Sequence, residues 1–325
     1  YAFMILLMRG GNILTVLRRG FITWAVVHAS LGLLDLGGKL VGLPDLLSPV
    51  RSANYVLLVE VEEAGFWRIA GGFSEASAFG SVSLACLGFA YTYWRVSGSR
   101  PMLALTVVLF LLLLLSTSST AYAGLAFIVP FTAIPIVISI LRGRLATQHI
   151  WLLLFGWLGL LAAVGIYLVN ESVYDPVIRL FESTVLNKSM SASAVERTYW
   201  NSRSIDAFLA TGGLGIGLGS SRSSSWVIAV ISQLGVIGAL AVASLVGVLL
   251  KDLVSPRRDG VSRETLALVS GARSCVLASL AGASVASGFA DPGLLFFISL
   301  AIVVMHRKSA VHAAEFRGLA AVGAR

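Results

Sequence analysis

Long apolar runs separated by polar connections dominate this chain. Residues 105–115, for example, read LTVVLFLLLLL and show none of the polar and apolar alternation that a membrane-spanning strand needs over ~10 residues. A bilayer core ~30 Å thick requires about 20 apolar residues per helix, and an open sheet would leave backbone groups without partners in lipid. The pattern therefore predicts an all-α, polytopic membrane protein, folded as a single integral membrane domain over residues 1–325.

The apolar runs predict about eight complete transmembrane helices of ~20 residues each, plus a truncated first span. The truncated span is the opening stretch YAFMILLM, which has neither an initiator methionine nor the basic segment of a signal peptide. The polar break STSST at residues 116–120 is either a kink or a tight turn between two spans. The complete spans are predicted at residues 21–36, 78–93, 102–116, 121–141, 150–169, 226–250, 266–287 and 294–305.

Composition supports a membrane protein and narrows its partners. The chain has 325 residues, of which 57% are apolar and only 12% charged, so a soluble globular domain is excluded. The net charge of +8 is not collected in one soluble basic domain, and we therefore expect no nucleic-acid partner. The two cysteines lie in apolar spans and the sequence holds no cluster of metal-ligand residues, so we expect neither a metal nor a cofactor.

The distribution of lysine and arginine predicts which loops face outward. Most of the 24 basic residues fall in connections on one side, which the positive-inside rule assigns to the cytoplasm. The two long loops at residues 37–77 and 170–225 then face outward, and residues 306–325 form a cytoplasmic tail. The basic residues assigned to the cytoplasmic side are Arg9, Arg18, Arg19, Arg95, Arg100, Arg142, Arg144, Lys251, Arg257, Arg258, Arg263, Arg307, Lys308, Arg317 and Arg325.

The second outer loop contains a charged and aromatic segment, AVERTYWNSRSIDAFLA. As a helix, this segment carries Arg197 and Arg203 within an arc of about 120°, with Trp200 between them. Guanidinium groups pair with phosphate oxygens and an indole face covers a sugar ring or its lipid neighbour, so the segment suits a sugar-phosphate ligand. The alternative is that the arginines only form exposed ion pairs. Those pairs would join Arg197 to Glu196 or Glu182, and Arg203 to Asp206.

A glycine run, GGLGIGLGSSR, leads from this segment into the span predicted from Trp226. It lacks the G-x-G-x-x-G spacing and does not follow a strand, so a dinucleotide site is not supported. Its backbone N–H groups, the following helix N-terminus and Arg222 suit an anion; the alternative is a flexible hinge. Earlier in the loop, residues 175–187 have the apolar spacing of an amphipathic helix, which either lies on the membrane surface or packs against the protein.

The first outer loop ends in FWRIAGGFSEASAFG, which places Arg68 and Glu75 at the mouth of a span. Its aromatic residues are typical interfacial anchors. Glu75 is a candidate general base, because a partly buried carboxylate is a stronger base than an exposed one. Neither outer loop contains a histidine, so a base there has to be a carboxylate, and Glu196 is the second candidate. Arg273 lies inside a span, where it either faces a polar cavity or extends toward the interface.

Three motifs together resemble the O-antigen polymerase and ligase superfamily, and within it the exopolysaccharide polymerases most of all. The motifs are WRIAGGFSEASAFG before one span, STSSTA at a helix break, and R-x5-R followed by GGLGIGLGSSR before another span. The resemblance covers most of the chain. It matches Arg68, Gly71 and Phe73 to the family pattern R-x-x-G-x-F, and Arg197 and Arg203 to arginines of the large loop.

The resemblance implies a bacterial inner-membrane glycosyltransferase that polymerises oligosaccharide repeat units carried on polyprenyl pyrophosphate into O-antigen or exopolysaccharide at the outer face. A hydroxyl of one glycan attacks the anomeric carbon of another, and the lipid pyrophosphate leaves. The implied partners are the lipid-linked donor and acceptor, membrane lipid and a chain-length regulator. The implied roles are binding of pyrophosphate and glycan by Arg68, Arg197, Trp200, Arg203 and Arg222, and catalysis by Glu75 or Glu196.

One departure from the family pattern removes a charge, because Ser119 and Thr120 stand at the helix break where a serine-arginine pair is usual. O-antigen ligases look similar but rely on an outer-loop histidine, so its absence favours a polymerase over a ligase. A lipid-linked glycan flippase or exporter is the alternative outside the enzyme class. It requires basic side chains lining a cavity in the bilayer, for which Arg273 is the candidate. A signalling or assembly subunit is a further alternative.

Overall fold

The computed structural model describes residues 13–44, 46–51, 62–63, 66–141, 143, 150, 157, 175, 178–180, 182, 192–254, 262–288 and 290–306. Several sequence predictions concern segments outside these residues. They are the truncated first span, nearly all of the span predicted at 150–169, most of the amphipathic segment at 175–187, and the tail after His306.

The described residues form eight helices and one short antiparallel ribbon. The helices are α1 (Ile13–Leu40), α2 (Ala76–Ser97), α3 (Arg100–Leu115), α4 (Ser119–Leu141), α5 (Ala192–Ala210), α6 (Trp226–Val254), α7 (Arg263–Ala286) and α8 (Leu294–His306). The ribbon pairs β1 (Glu62–Glu63) with β2 (Phe66–Trp67). The described part of the chain is therefore almost entirely helical, as predicted. Of the complete predicted spans, all but the one at 150–169, which lies almost entirely outside the described residues, overlap a helix.

Three of the helices are long and apolar enough to cross a membrane. They are α1, the Trp226–Leu250 part of α6, and α7. Shorter apolar helices occur at Arg100–Leu115, Ser119–Pro130 and Leu294–His306. The structure supports a membrane protein with transmembrane helices, whereas the total of about eight spans derived from hydrophobic length stays a prediction.

Helices α2 and α7 form the centre of the bundle, and α1, α3 and α4 pack around them. Small residues bring the two central helices together, because a Cβ added to Gly88 would lie 3.0 Å from the Ser274 carbonyl oxygen. Thr92 Oγ1 also donates a hydrogen bond to Ser274 Oγ at 2.7 Å. Small side chains and interhelical hydroxyl bonds are typical of helix packing in membranes, where the hydrophobic effect does not drive association.

The two ends of the bundle hold different groups of basic residues. At one end Arg18 pairs with Glu264, and Arg263 Nε donates to the Val96 carbonyl oxygen at 2.9 Å. At the other end lie the turn between α3 and α4 and the C-terminus of α7, both of which Arg197 approaches. Arg18 and Arg263 therefore lie at one end of the bundle and Arg197 at the other. Which end faces outward stays a prediction.

Candidate functional site

The candidate site is a cluster that we call the polar junction. It consists of residues 68–73, which precede α2, residues 116–120, which join α3 to α4, and the side chain of Arg197 from α5. The first two segments touch through a backbone hydrogen bond from Ile69 N to Leu115 O at 3.4 Å. The polar connection between α3 and α4 therefore lies beside the loop that carries Arg68.

Residues 116–120 are polar but buried. Ser116, Thr117, Ser118 and Thr120 are each at most 3% exposed. Thr117 adopts φ 46°, a left-handed conformation that β-branched residues rarely take. Its Oγ1 is buried and makes no hydrogen bond within the described part of the chain. A strained backbone and an unsatisfied buried hydroxyl each cost about 1–3 kcal/mol, and such features concentrate at functional sites.

Three buried charged side chains hold the backbone of residues 68–73, and none of them was predicted from the sequence as a site residue. Asp35 Oδ2 accepts hydrogen bonds from the backbone N–H groups of Ala70 and Gly71, at 2.8 and 2.9 Å. Arg51 donates to the Gly71 carbonyl oxygen, and Lys39 Nζ donates to the Arg68 carbonyl oxygen at 2.6 Å. These hydrogen bonds therefore fix the backbone of this loop.

Arg197 approaches the first turn of α4, and Arg68 belongs to the loop beside it. Arg68 is half-buried, and the backbone N–H of the next residue, Ile69, donates to the Leu115 carbonyl oxygen. Arg197 Nη1 lies 3.5 Å from Thr120 Oγ1 and 3.4 Å from the Val285 carbonyl oxygen, which is the long end of hydrogen-bonding distance. Arg197 thus reaches the polar junction and does not form the exposed pair with Glu196 that the sequence left open.

The other predicted ligand-binding residues of α5 form a separate, exposed group. Arg222 lies 4.8 Å from the centre of the Trp200 ring and 3.8 Å from Glu196 Oε1, and Trp200 Nε1 donates to the same oxygen at 3.2 Å. Arg203 is exposed, lies over the Tyr199 ring and donates to its hydroxyl at 3.4 Å. These contacts give Arg203 and Arg222 partners outside the polar junction. Along the axis of α5, Arg203 lies about 9 Å from Arg197.

The two candidate bases lie in different surroundings. Glu75 is half-buried at the N-cap of α2, and its carboxylate does not accept a hydrogen bond from the first helical turn. One turn further on, a Cβ added to Gly80 would lie 3.4 Å from Ser118 Cβ, which brings this end of α2 against the polar junction. Glu196 has a side chain that is 62% exposed and shared between Trp200 and Arg222. Of the two, Glu75 therefore belongs to the helix end that packs against the polar junction.

Most N–H groups of the glycine run donate to acceptors within the protein, whereas an anion site made by Arg222 and the N-terminus of α6 stays a prediction. Helix α6 is broken at Gly235, which adopts φ 68° and ψ −171°. The run packs into this break: Ile216 N donates to Ser232 O, Gly217 N to Gln233 O, and Val236 N to Gly213 O, at 2.9 to 3.0 Å. We call residues 212–219 and 232–236 the glycine seam.

The N–H groups of the run are occupied within the protein. Gly215 N donates to Thr211 Oγ1 at 3.1 Å, and Gly219 N donates to the side-chain oxygen of Gln233 at 3.0 Å. The Gln233 amide nitrogen in turn donates to Ser221 O at 3.1 Å. Gln233 was not selected from the sequence, although a glutamine inside an apolar run is a signal that its side chain has a buried partner.

The structure also shows the surroundings of two residues inside predicted spans, His28 and Arg273. His28 is buried, is hydrogen-bonded to Ser83 Oγ at 2.7 Å and stacks on the Phe79 ring with 4.6 Å between centroids, so it is a satisfied core residue. Arg273 is only 7% exposed and lies on the core side of α7. Within the described part of the chain, no group of three acidic, histidine or cysteine side chains is placed to hold a metal ion.

No protein-family model matches the chain, and no characterised protein or solved structure matches it either. The functional argument therefore rests on the residues of the polar junction.

Proposed function

We propose that the protein is a membrane glycosyltransferase that joins glycans carried on polyprenyl pyrophosphate and so extends O-antigen or exopolysaccharide. In this proposal it spans the bacterial inner membrane about eight times and holds the polar junction at the outer face, where the lipid-linked donor and acceptor meet. The observation that carries the proposal is the approach of Arg197 to the buried hydroxyl groups at the start of α4, beside the loop that carries Arg68.

The chemistry of the polar junction suits a pyrophosphate leaving group. When the glycosidic bond to the lipid breaks, negative charge develops on the pyrophosphate, and preorganised cations and hydroxyl donors stabilise it. Arg68 and Arg197 supply the cations, and the unsatisfied Thr117 hydroxyl supplies a donor. A helix N-terminus adds a favourable dipole for the same charge.

Arg197 also accounts for the charge that the family pattern leads one to expect at the helix break. The chain has Thr120 where an arginine is usual, and the Arg197 guanidinium lies against that threonine. A helix from a distant part of the chain therefore brings a cation to the same place. The proposed pyrophosphate clamp is Arg68 and Arg197, with Arg203 and Arg222 outside it.

Glu75 is the proposed general base that accepts the proton of the attacking acceptor hydroxyl. It is half-buried beside the polar junction, whereas Glu196 is exposed and already shared by Trp200 and Arg222. A positioned base contributes about 10²–10⁴-fold to rate. We expect Glu75→Gln to lower the initial rate of glycan extension by about that factor and the matched variant Glu196→Gln to lower it by less than about tenfold. Equal losses would remove Glu75 from this role.

The proposal is tested by reconstituting the purified protein in vesicles with lipid-linked repeat units and separating the glycans by size. A ladder of longer glycans supports a polymerase. Transfer to a lipid A core or to a protein supports a ligase, and movement across the bilayer without growth supports a flippase or exporter. The assay is run with and without a chain-length regulator, to show whether the ladder depends on that partner. If no glycan extension occurs under either condition, the polymerase proposal fails.

A further inference from the structure

We propose that Asp35, Lys39 and Arg51 are positioning residues that set the place of Arg68 in the polar junction. This inference rests on the proposed function of Arg68 in holding a pyrophosphate. None of the three touches the proposed substrate. They act through the backbone of residues 68–71, which they hold by hydrogen bonds.

The three side chains form one closed ionic cluster. Arg51 Nη2 lies 2.7 Å from Asp35 Oδ1, and Lys39 Nζ lies 3.2 Å from Asp35 Oδ2. Each of these side chains is 1% exposed. The cluster combines residues from the end of α1 with one from the loop that follows, so a single carboxylate joins two segments of the chain.

The cluster holds more cations than carboxylates, and the loop backbone completes it. Two cations face one carboxylate, and the surplus positive charge is met by the carbonyl oxygens of Arg68 and Gly71. The Asp35 carboxylate receives the N–H groups of Ala70 and Gly71 in return. The loop is therefore hydrogen-bonded to the cluster in both directions, as donor and as acceptor.

Stability alone does not account for these residues. Buried ion pairs can often be replaced by apolar side chains of similar volume without loss of stability, because desolvation offsets the attraction between the charges. What an apolar replacement could not reproduce is the fixed direction of the four backbone groups that the cluster bonds in residues 68–71. A side chain that must meet a developing charge needs this accuracy, since small misplacements cost large factors in rate.

The conformation of Gly71 makes the arrangement specific. Gly71 adopts φ 54°, and a Cβ at this position would lie 2.7 Å from the buried Phe79 ring. The chain therefore turns sharply three residues after Arg68, in a conformation that glycine tolerates. Arg51 donates to the carbonyl oxygen of this same glycine at 2.6 and 2.8 Å, which fixes the turn.

The first test measures the loop without any substrate. Hydrogen exchange at the backbone amides of Ala70 and Gly71 is compared in the wild type and Asp35→Asn, because those amides donate to Asp35. We expect exchange to accelerate roughly tenfold or more when the carboxylate is lost. Arg51→Lys keeps all three charges and provides the same comparison if Asp35→Asn does not fold. Unchanged exchange in the folded variant would overturn the inference.

The second test asks whether Lys39 acts through Arg68. Lys39→Met removes the bond to the Arg68 carbonyl oxygen but leaves Asp35 and Arg51 as a balanced pair. We expect the KM for the lipid-linked donor to rise roughly tenfold with a smaller change in kcat. In an Arg68→Ala background, Lys39→Met should have little further effect, because the side chain that it positions is gone. Full additivity would contradict positioning.

Thr106→Val is the matched control, because Thr106 is buried in α3 and bonds only to the Met102 carbonyl oxygen of its own helix. It should leave both loop exchange and the donor KM unchanged. If Lys39→Met and Thr106→Val behave alike, the cluster has a general structural role and the inference is wrong. If the wild type extends no glycan, the proposed function fails; positioning is then judged by exchange and by binding of undecaprenyl pyrophosphate, and unchanged values of both overturn it.

Discussion

The polar junction and the glycine seam are both polar interruptions of apolar helices, but they use their polar groups differently. In the glycine seam, backbone N–H and C=O groups freed by the break in α6 pair with those of the run at residues 212–219. In the polar junction, Thr117 is strained and its hydroxyl has no partner within the described residues. A buried polar group with a partner stabilises the fold, whereas one without a partner costs stability and is retained for another reason.

Gly235→Ala is the variant with the largest expected effect, and it tests the structural half of this comparison. A Cβ on Gly235 would lie 2.2 Å from the Leu214 carbonyl oxygen, in a backbone conformation that is restricted to glycine. We expect a loss of about 3 kcal/mol or more, seen as a loss of folded protein in a thermal melt in detergent. Gly247→Ala in the same helix is the control, since no atom lies within 4 Å of its Cβ. A stable Gly235→Ala protein would contradict the seam.

Arg68→Ala tests the functional half of the comparison. Because we place the Arg68 guanidinium at the leaving pyrophosphate, we expect kcat/KM for glycan extension to fall by about 10²–10³-fold. The melting temperature should change little, since Arg68 is half-buried and the bonds to its carbonyl oxygen do not involve its side chain. Arg68→Lys should recover part of the activity by restoring the charge. An unaltered rate would remove Arg68 from the clamp.

Thr117→Gly should have a smaller effect, which raises stability and lowers activity. Glycine relieves the left-handed backbone and removes the unsatisfied hydroxyl, so we expect a gain of about 1 kcal/mol in the free energy of unfolding. We also expect glycan extension to slow by about tenfold, because a donor to the pyrophosphate is lost. Thr117→Asn, which tolerates the same backbone conformation and keeps a polar group, is the comparison variant. A stabilised protein with full activity would show that Thr117 has no role in the reaction.

The helical character of the fold followed from hydrophobic length, whereas the break in α6 did not. Residues 226–250 read as one continuous apolar run, and the sequence gives Gly235 no distinction from the other glycines of that run. Its conformation depends on the distant segment that packs against it. Contacts between segments that meet only in the folded protein cannot be inferred from local periodicity.

The candidate site was predicted in its residue types and only partly in its arrangement. Arg68, Glu75 and Arg197 come to the polar junction, but Trp200, Arg203, Arg222 and Glu196 form an exposed group apart from it. A helical wheel places Arg197 and Arg203 about 120° apart, and their burial differs, since Arg197 is half-buried and Arg203 is exposed. Asp35 and Arg51 were overlooked because charged residues near span boundaries are usually solvated, and their shared burial appears only in three dimensions.

The central claim is that Arg197, and not Arg203, belongs to the site. The most direct measurement compares Arg197→Ala with Arg203→Ala in the vesicle assay with lipid-linked repeat units, at matched amounts of folded protein. The account predicts that Arg197→Ala slows chain growth by about 10²-fold or more, whereas Arg203→Ala stays within about threefold of the wild type. A normal glycan ladder from Arg197→Ala, or equal losses in both variants, would contradict it.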